Sequence, residues 1–127
     1  MPLVQIHLIK GKPTEFRHRV GEVVYKTMMD TINVPPRDNF QIITEHDKDS
    51  LVYDPEYLNI QRTDGIIVIQ ITLNEGRTLD LKKAFYKQLA ERLHAELGIR
   101  MEDVFISLVE VKKENWSFGN GIAQYAE

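Results

Sequence analysis

The sequence predicts an α/β (α+β) fold in which duplicated β-α-β units form a four-stranded sheet with two helices on one face. Two observations predict this fold class: the chain matches itself at an offset of 65 residues, and each copy has the pattern of a strand, a helix and a returning strand. The identities at this offset pair Gln5 with Gln70, Ile6 with Ile71, Leu8 with Leu73, Gly11 with Gly76, Asp38 with Asp103 and Phe40 with Phe105.

The first copy begins with the alternating strand "LVQIHLI" and returns through the strand "FQIITEH". Between them, Thr14 is the expected N-cap of a helix. Apolar residues then follow helical spacing at Phe16, Val20, Val23, Val24, Met28 and Ile32.

The second copy begins with "GIIVIQITL", whose continuous apolar run predicts a central strand covered on both faces. Its helix is expected to begin after the N-cap Thr78 and to end at Gly98. One face of that helix carries Leu81, Phe85, Leu89, Leu93 and Leu97. The strand "VFISLVEV" closes the unit.

We expect a single domain over residues 1–127, because 127 residues with 43% apolar content suit one hydrophobic core. The copies span about 2–48 and 66–112, and an aromatic tail follows at 113–127. The polar connection 48–64 has turn-forming Asp and Pro residues and room for one short strand. Two helices cover only one sheet face, so the apolar inner strands predict a closed symmetric oligomer.

Composition excludes several functional classes. A net charge of −3 argues against nucleic acid, and the absence of cysteine excludes disulfides and thiolate chemistry. No apolar run approaches the roughly 20 residues of a membrane span, so we expect a cytoplasmic protein with no membrane partner. The four histidines have no metal-ligand spacing and no nucleotide-binding motif is present, which predicts neither metal nor cofactor.

Pro2 has both a structural and a chemical interpretation. A proline suits the first position of a strand because it lacks the N–H group that a ladder needs. If Met1 is removed, however, Pro2 carries a secondary amine that acts as a base when neutral and as an acid when charged.

Arg77 and Asp38 are the polar candidates. Arg77 lies where the second strand passes through Gly76 into a helix, a position suited to binding a small carboxylate, although a solvated turn arginine is equally consistent. Asp38 precedes a strand and either sets the turn, as Asp103 would in the other copy, or polarises substrate or water. Trp116 and Phe118 in the tail cover the core, an interface or a pocket.

Together, the initial "MPL", "VPPRDNFQ", "GRT", "AFYKQL" and "NWSFGNGIAQY" resemble the tautomerase superfamily, most of all its malonate semialdehyde decarboxylase-like branch. The resemblance covers essentially the whole chain and implies a MIF-like fold that forms homotrimers. It also implies that Pro2 is the catalytic proline once Met1 is removed, that Arg77 binds the substrate carboxylate, and that Asp38 polarises substrate or water. Trp116, Phe118 and Tyr125 match aromatic wall positions.

One departure concerns Glu75, which stands where some decarboxylases of that branch carry a second arginine. A carboxylate there weakens anion binding and favours the charged form of a nearby amine. The resemblance therefore leaves three functions open. These are keto-enol tautomerisation of a small 2-oxo or 3-oxo acid, decarboxylation or hydration of a related acid, and a non-catalytic oligomeric binding module.

Overall fold

The computed structural model describes residues 2–126 and shows two β-α-β units in one sheet. The first consists of β1 (Leu3–Ile9), α1 (Thr14–Ile32) and β2 (Phe40–His46), and the second of β3 (Ile67–Asn74), α2 (Leu79–Leu97) and β4 (Val104–Val111). Each element of the second unit lies 65 positions after its counterpart, to within one residue at either end.

The strands lie in the order β2-β1-β3-β4. Within each unit the two strands are parallel, and the central strands β1 and β3 are antiparallel, with Leu3 opposite Thr72. As a result, β1 and β2 begin at the edge of the sheet where β3 and β4 end. We call this end of the sheet the Pro2 edge, because residue 2 lies there directly before β1.

The hydrophobic core lies between one sheet face and the two helices. Alternate strand residues are buried, as at Val4, Ile6 and Leu8 of β1, which is the period-two pattern of a sheet with one covered face. The helices contribute Val20, Val24, Met28, Ile32, Phe85, Leu89 and Leu93. The predicted fold class, a four-stranded sheet with two helices on one face, is confirmed.

The prediction that β3 is covered on both faces is wrong for the protomer. Ile67, Ile69, Ile71 and Leu73 are buried, but the alternate residues of β3 are only half-buried. β-branched side chains favour extended backbone whether or not they are covered, so an apolar run does not reveal the number of covered faces.

The outer face of the sheet, opposite the helices, keeps large apolar side chains exposed. Phe40, Ile42 and Phe105 are 54%, 51% and 46% exposed. All three lie on the same face of the sheet as Leu3 and Val68, whose side chains point away from the helices.

The two helix N-termini differ from each other. Thr78 caps α2 as predicted, since its Oγ1 accepts a hydrogen bond from the Leu81 N–H at 3.3 Å. Thr14 does not cap α1: Pro13 is the N-cap, Thr14 is the first helical residue, and its Oγ1 accepts from Arg17. Proline at the cap provides no side-chain acceptor, so the helix start is set by the fixed proline φ instead.

We expected that the connection between the units could hold one short strand, but among the described residues it contains none. Instead a short 3-10 turn forms at Tyr57–Asn59. Arg62 holds the connection together, because its Nη1 donates to the carbonyls of Asp54, Tyr57 and Ile60. These carbonyls have no ladder to join, and the guanidinium satisfies them.

Candidate active site

A small cavity of about 120 Å³ opens at the Pro2 edge. Its lining consists of Pro2, Leu3, Phe40, Trp116, Ser117 and Phe118. Pro2 is buried and precedes the first ladder residue, as its missing N–H group requires. The cavity is smaller than the roughly 300–1,000 Å³ of sites for drug-sized ligands, so it suits a small molecule.

Aromatic rings of the tail form the outer wall of this cavity. The rings of Trp116 and Phe118 stack with centroids 5.5 Å apart and planes 20° apart. Tyr125 meets Phe118 edge-on at 4.9 Å, so it supports the wall from behind and is not part of the lining. Gln124 closes the tail loop, because its side chain accepts from the Phe118 N–H and donates to the Gly119 carbonyl, both at 2.9 Å.

Arg77 is held by backbone carbonyls at the same edge. Its Nε donates to the Ile32 carbonyl at 2.7 Å, and its Nη1 donates to the Asn74 carbonyl at 3.3 Å. Ile32 is the last residue of α1, where carbonyls lack helical partners and a cation is favourable. The guanidinium has more N–H donors than these contacts use, so it can be held in place and still bind a carboxylate.

Burial and nearby carboxylates act on Arg77 in opposite directions. Burial lowers the pKa of Arg77, while the charges of Glu110 and Asp38 oppose that shift. Arginine stays charged at any physiological pH, so the consequence is electrostatic: a partly desolvated cation lies at the Pro2 edge.

Asp38 lies in the loop between α1 and β2. It is half-buried, its N–H bonds to the Pro35 carbonyl at 3.3 Å, and its charge acts on Arg77. Two residues later the chain reaches Phe40, which lines the cavity. Both the turn-setting and the chemical interpretation of Asp38 are therefore compatible with its position.

Glu110 organises the turn that carries Arg77. Its carboxylate accepts the Gly76 N–H and forms an ion pair with Lys82 at 2.7 Å, and these contacts, Lys82 first, hold the pKa of Glu110 below its usual range. Gly76 has φ 121°, a conformation that favours glycine. Glu75, the departure from the family pattern, is exposed, and its N–H bonds to the Val111 carbonyl.

Sequence reasoning missed Asn74, the last residue of β3. Its side-chain Oδ1 accepts the Trp116 indole N–H at 2.7 Å, and its carbonyl accepts from Arg77. It also missed Phe40 as a lining residue. The available signal was a polar residue ending an otherwise apolar strand in "ITLN", directly before the turn that carries Arg77.

The residues predicted from the sequence lie at one end of the sheet, but not all of them line the cavity. Pro2, Trp116 and Phe118 share the cavity. Arg77 is connected to that wall through Asn74.

Among residues 2–126, no group of three or more His, Cys, Asp or Glu side chains is arranged to hold a metal ion. Nor does that part of the chain contain a helix with the length and apolar character that crossing a membrane requires.

Comparison with known proteins points to one family. A family model described as tautomerase enzyme matches residues 38–119, and a second model with the same description matches residues 2–60. The chain is 46% identical to the probable tautomerase YusQ of Bacillus subtilis (strain 168), and the match covers the whole of both chains. It is 34% identical to the probable tautomerase YrdN of the same organism, over 98% of this chain and 96% of the relative.

Solved structures agree with these matches. The FG41 malonate semialdehyde decarboxylase inhibited by 3-bromopropiolate superimposes with a TM-score of 0.90 at 32% identity, covering 97% of this chain and 93% of that one. A fused 4-OT symmetric trimer superimposes with a TM-score of 0.79 at 22% identity, covering 98% of each chain. The second likeness supports the fold alone.

Proposed function

The chain belongs to the tautomerase family of enzymes, and on that premise we propose that it uses Pro2 as an amino-terminal acid-base group on a small 2-oxo or 3-oxo carboxylic acid. One observation carries the proposal. Pro2 is buried in a small apolar cavity whose aromatic wall is connected through Asn74 to a carbonyl-held arginine. The proposal requires that Met1 be removed, since only then does Pro2 carry a secondary amine.

Keto-enol tautomerisation is the reaction that these groups support best. Arg77 anchors the substrate carboxylate with two parallel hydrogen bonds. The neutral Pro2 amine removes the enol O–H proton, the carbonyl bond forms, and the charged amine returns a proton to the adjacent carbon. The apolar lining disfavours a charged amine, which keeps Pro2 neutral before the reaction, and the aromatic wall excludes water.

Decarboxylation is the second candidate, and the likeness to malonate semialdehyde decarboxylase favours it. In this reaction a charged Pro2 polarises the 3-carbonyl while Arg77 turns the carboxylate out of the carbonyl plane. The bond between the carboxylate and its neighbouring carbon breaks, carbon dioxide leaves, and the electron pair forms an enolate that is then protonated. Asp38 assists by polarising the substrate, or by orienting a water molecule if the reaction is the hydration of an unsaturated acid.

A homotrimer completes the proposal. Phe40 and Phe105 lie on an outer sheet face that the helices leave uncovered, and exposed apolar surfaces of this kind usually bind another chain. The fused 4-OT chain, which shares the fold, forms a trimer. Native mass spectrometry tests the assembly, because a trimer has three times the 14.8 kDa protomer mass.

The decisive experiment begins with protein made without an amino-terminal tag, whose intact mass shows whether Met1 is absent. Ketonisation of phenylenolpyruvate and carbon dioxide release from malonate semialdehyde are then measured for the wild type and Pro2→Ala. Pro55→Ala is the matched control, since Pro55 is exposed in the connection between the units. We expect turnover to be lost in Pro2→Ala and retained in Pro55→Ala.

Titration of the Pro2 amine by nitrogen-15 NMR separates the two reactions. A pKa below the ordinary α-amino range of about 7.7–8.0 indicates a neutral base and favours tautomerisation, and a pKa above it favours decarboxylation. Retention of Met1 in protein from its native host, or unchanged turnover in Pro2→Ala, would overturn the proposal.

A further inference from the structure

We propose that Asn74 is a positioning residue that fixes the Trp116 indole against the cavity and couples it to Arg77. The inference rests on the proposed function, because the cavity at Pro2 is taken as the substrate site. Its structural basis is a pair of hydrogen bonds made by one residue. The Asn74 side-chain oxygen accepts from Trp116 Nε1 at 2.7 Å, and the Asn74 carbonyl accepts from Arg77 Nη1 at 3.3 Å.

The indole needs such an anchor because it lies in an irregular tail. Trp116 follows a short 3-10 turn at Lys113–Asn115 and belongs to no strand or helix. Its ring is half-buried, so the N–H group requires a partner in place of water. Asn74 is the last residue of β3 and pairs with Val111 of β4, so the sheet holds it in place while Trp116 lies outside any regular element.

Orientation of this ring determines the shape of the cavity. Trp116 both lines the cavity and stacks on Phe118, which is itself a lining residue. Rotation of the indole therefore moves two of the six lining side chains together. Because the Asn74 carbonyl also accepts a hydrogen bond from Arg77, one residue of the sheet contacts both the aromatic wall and the guanidinium.

The chain offers a direct probe, since Trp116 is its only tryptophan. Asn74→Leu keeps the side-chain shape and removes the acceptor, whereas Asn74→Asp keeps the acceptor oxygen. Asn115→Leu is the matched control, because it is the same asparagine-to-leucine substitution at an exposed residue next to Trp116. In Asn74→Leu we expect tryptophan emission to shift to longer wavelength and acrylamide quenching to increase. Asn74→Asp and Asn115→Leu should retain the wild-type spectrum.

Kinetics test whether the anchor matters to the site. Loss of one hydrogen bond predicts a decrease in kcat/KM of about 2- to 10-fold in Asn74→Leu, expressed mainly in KM, with recovery in Asn74→Asp. In a double-mutant cycle, Asn74→Leu should have little further effect once Trp116→Phe has removed the indole N–H. If Asn74→Leu folds poorly, the Trp116→Phe single variant still tests the contact from the other side, because it removes the indole N–H and leaves Asn74 in place.

Two results would overturn the inference: an unchanged emission spectrum in Asn74→Leu, or effects of Asn74→Leu and Trp116→Phe that are simply additive. Failure of the proposed function has a different signature. In that case Pro2→Ala leaves turnover unchanged, or the wild type shows none, while the fluorescence of Asn74→Leu still reports whether Asn74 holds the indole.

Discussion

The two ends of the sheet carry the same pair of residue types in different surroundings. At the Pro2 edge, Arg77 is partly desolvated among backbone carbonyls, and Asp38 acts on it electrostatically. At the opposite edge, the equivalent Lys12 lies over the Phe16 ring at 5.0 Å. The equivalent Asp103 is 2% exposed and bound to Thr63.

The difference comes from segments outside the matching units. The connection between the units supplies Thr63, whose N–H and hydroxyl donate to the buried Asp103 carboxylate at 2.8 and 2.6 Å. The tail supplies Trp116 and Phe118, which leave a cavity at the Pro2 end. The same β-α-β plan therefore gives a buried, hydrogen-bonded aspartate at one end and an apolar cavity beside Pro2 at the other, depending on the segment that packs there.

The largest expected effect tests whether activity depends on the Pro2 edge alone. Arg77→Leu removes the guanidinium that we propose as the anchor of the substrate carboxylate, and we expect kcat/KM to decrease about 100- to 1,000-fold. Arg77→Lys should recover only part of this activity, because an ammonium cannot form the two parallel hydrogen bonds. Lys12→Leu is the matched change at the opposite edge of the sheet. Similar losses of activity in Lys12→Leu and Arg77→Leu would contradict the comparison.

The two aspartates should separate stability from activity. Asp103→Ala leaves the Thr63 N–H group without its acceptor, so we expect the free energy of unfolding to decrease by about 1–3 kcal/mol. Asp38→Ala changes a half-buried site, so we expect a smaller loss of stability than in Asp103→Ala and a larger decrease in kcat/KM. Urea unfolding and steady-state kinetics on both variants provide the measurement. If Asp38→Ala proves the more destabilising of the two, Asp38 is a turn residue like its counterpart.

The positions of helices and strands were largely predictable, because the helical and strand periods of apolar residues are local properties of the sequence. The strands "LVQIHLI", "FQIITEH" and "VFISLVEV" correspond residue for residue to β1, β2 and β4. The helix end at Gly98 was predictable because its αL conformation strongly favours glycine. The N-cap at Pro13 was not, since threonine is normally the better cap and no sequence signal overrides that preference here.

The site was less predictable because its contacts are long-range. Pro2, Arg77 and Trp116 were candidates from their positions in the sequence, but those positions were equally compatible with structural roles, and only the resemblance to a family favoured chemical ones. Asn74 was missed because its role depends on an indole 42 positions later in the chain. Carbonyl partners such as that of Ile32 are invisible in a sequence, since every residue has a backbone carbonyl. The catalytic and binding roles of these residues stay predictions.

A smaller effect distinguishes the helix ends of the two units. Asn33 and Gly98 are equivalent C-caps, and both adopt the left-handed conformation, with φ of 60° and 68°. Gly98→Ala should lower the free energy of unfolding by about 1 kcal/mol, because a Cβ there meets no atom within 4 Å and only backbone strain contributes. Asn33→Gly should be neutral or slightly stabilising. Equal destabilisation by both changes, measured in urea, would refute this account.

The smallest effect concerns pH and the outer face of the first unit. His7 Nδ1 lies 2.8 Å from His46 Nε2, whereas the second unit has Thr72 and Val111 at these positions. Burial, and then the charge of His46, lowers the pKa of His7 below its ordinary value of 6.5. The unfolded chain therefore binds a proton first as pH falls, so stability is present above about pH 6.5 and decreases below it.

Thermal unfolding between about pH 7.5 and 5.5 measures this dependence. His7→Gln should show a flatter profile than the wild type, because glutamine does not titrate. Thr72→Val changes the equivalent position of the second unit and should leave the slope unchanged. A wild-type profile that is flat over this range would contradict the role of His7.

Burial of Pro2 at the start of a central strand sets an order of events during synthesis. In the folded protein Pro2 shares a cavity with Phe40 of β2 and with the tail, both of which are translated after it. An aminopeptidase has to reach the bond before Pro2, so we expect the proposed removal of Met1 to be faster before β1 has paired than after it. Enzymatic competence would then depend on how removal of Met1 competes with folding of the emerging chain.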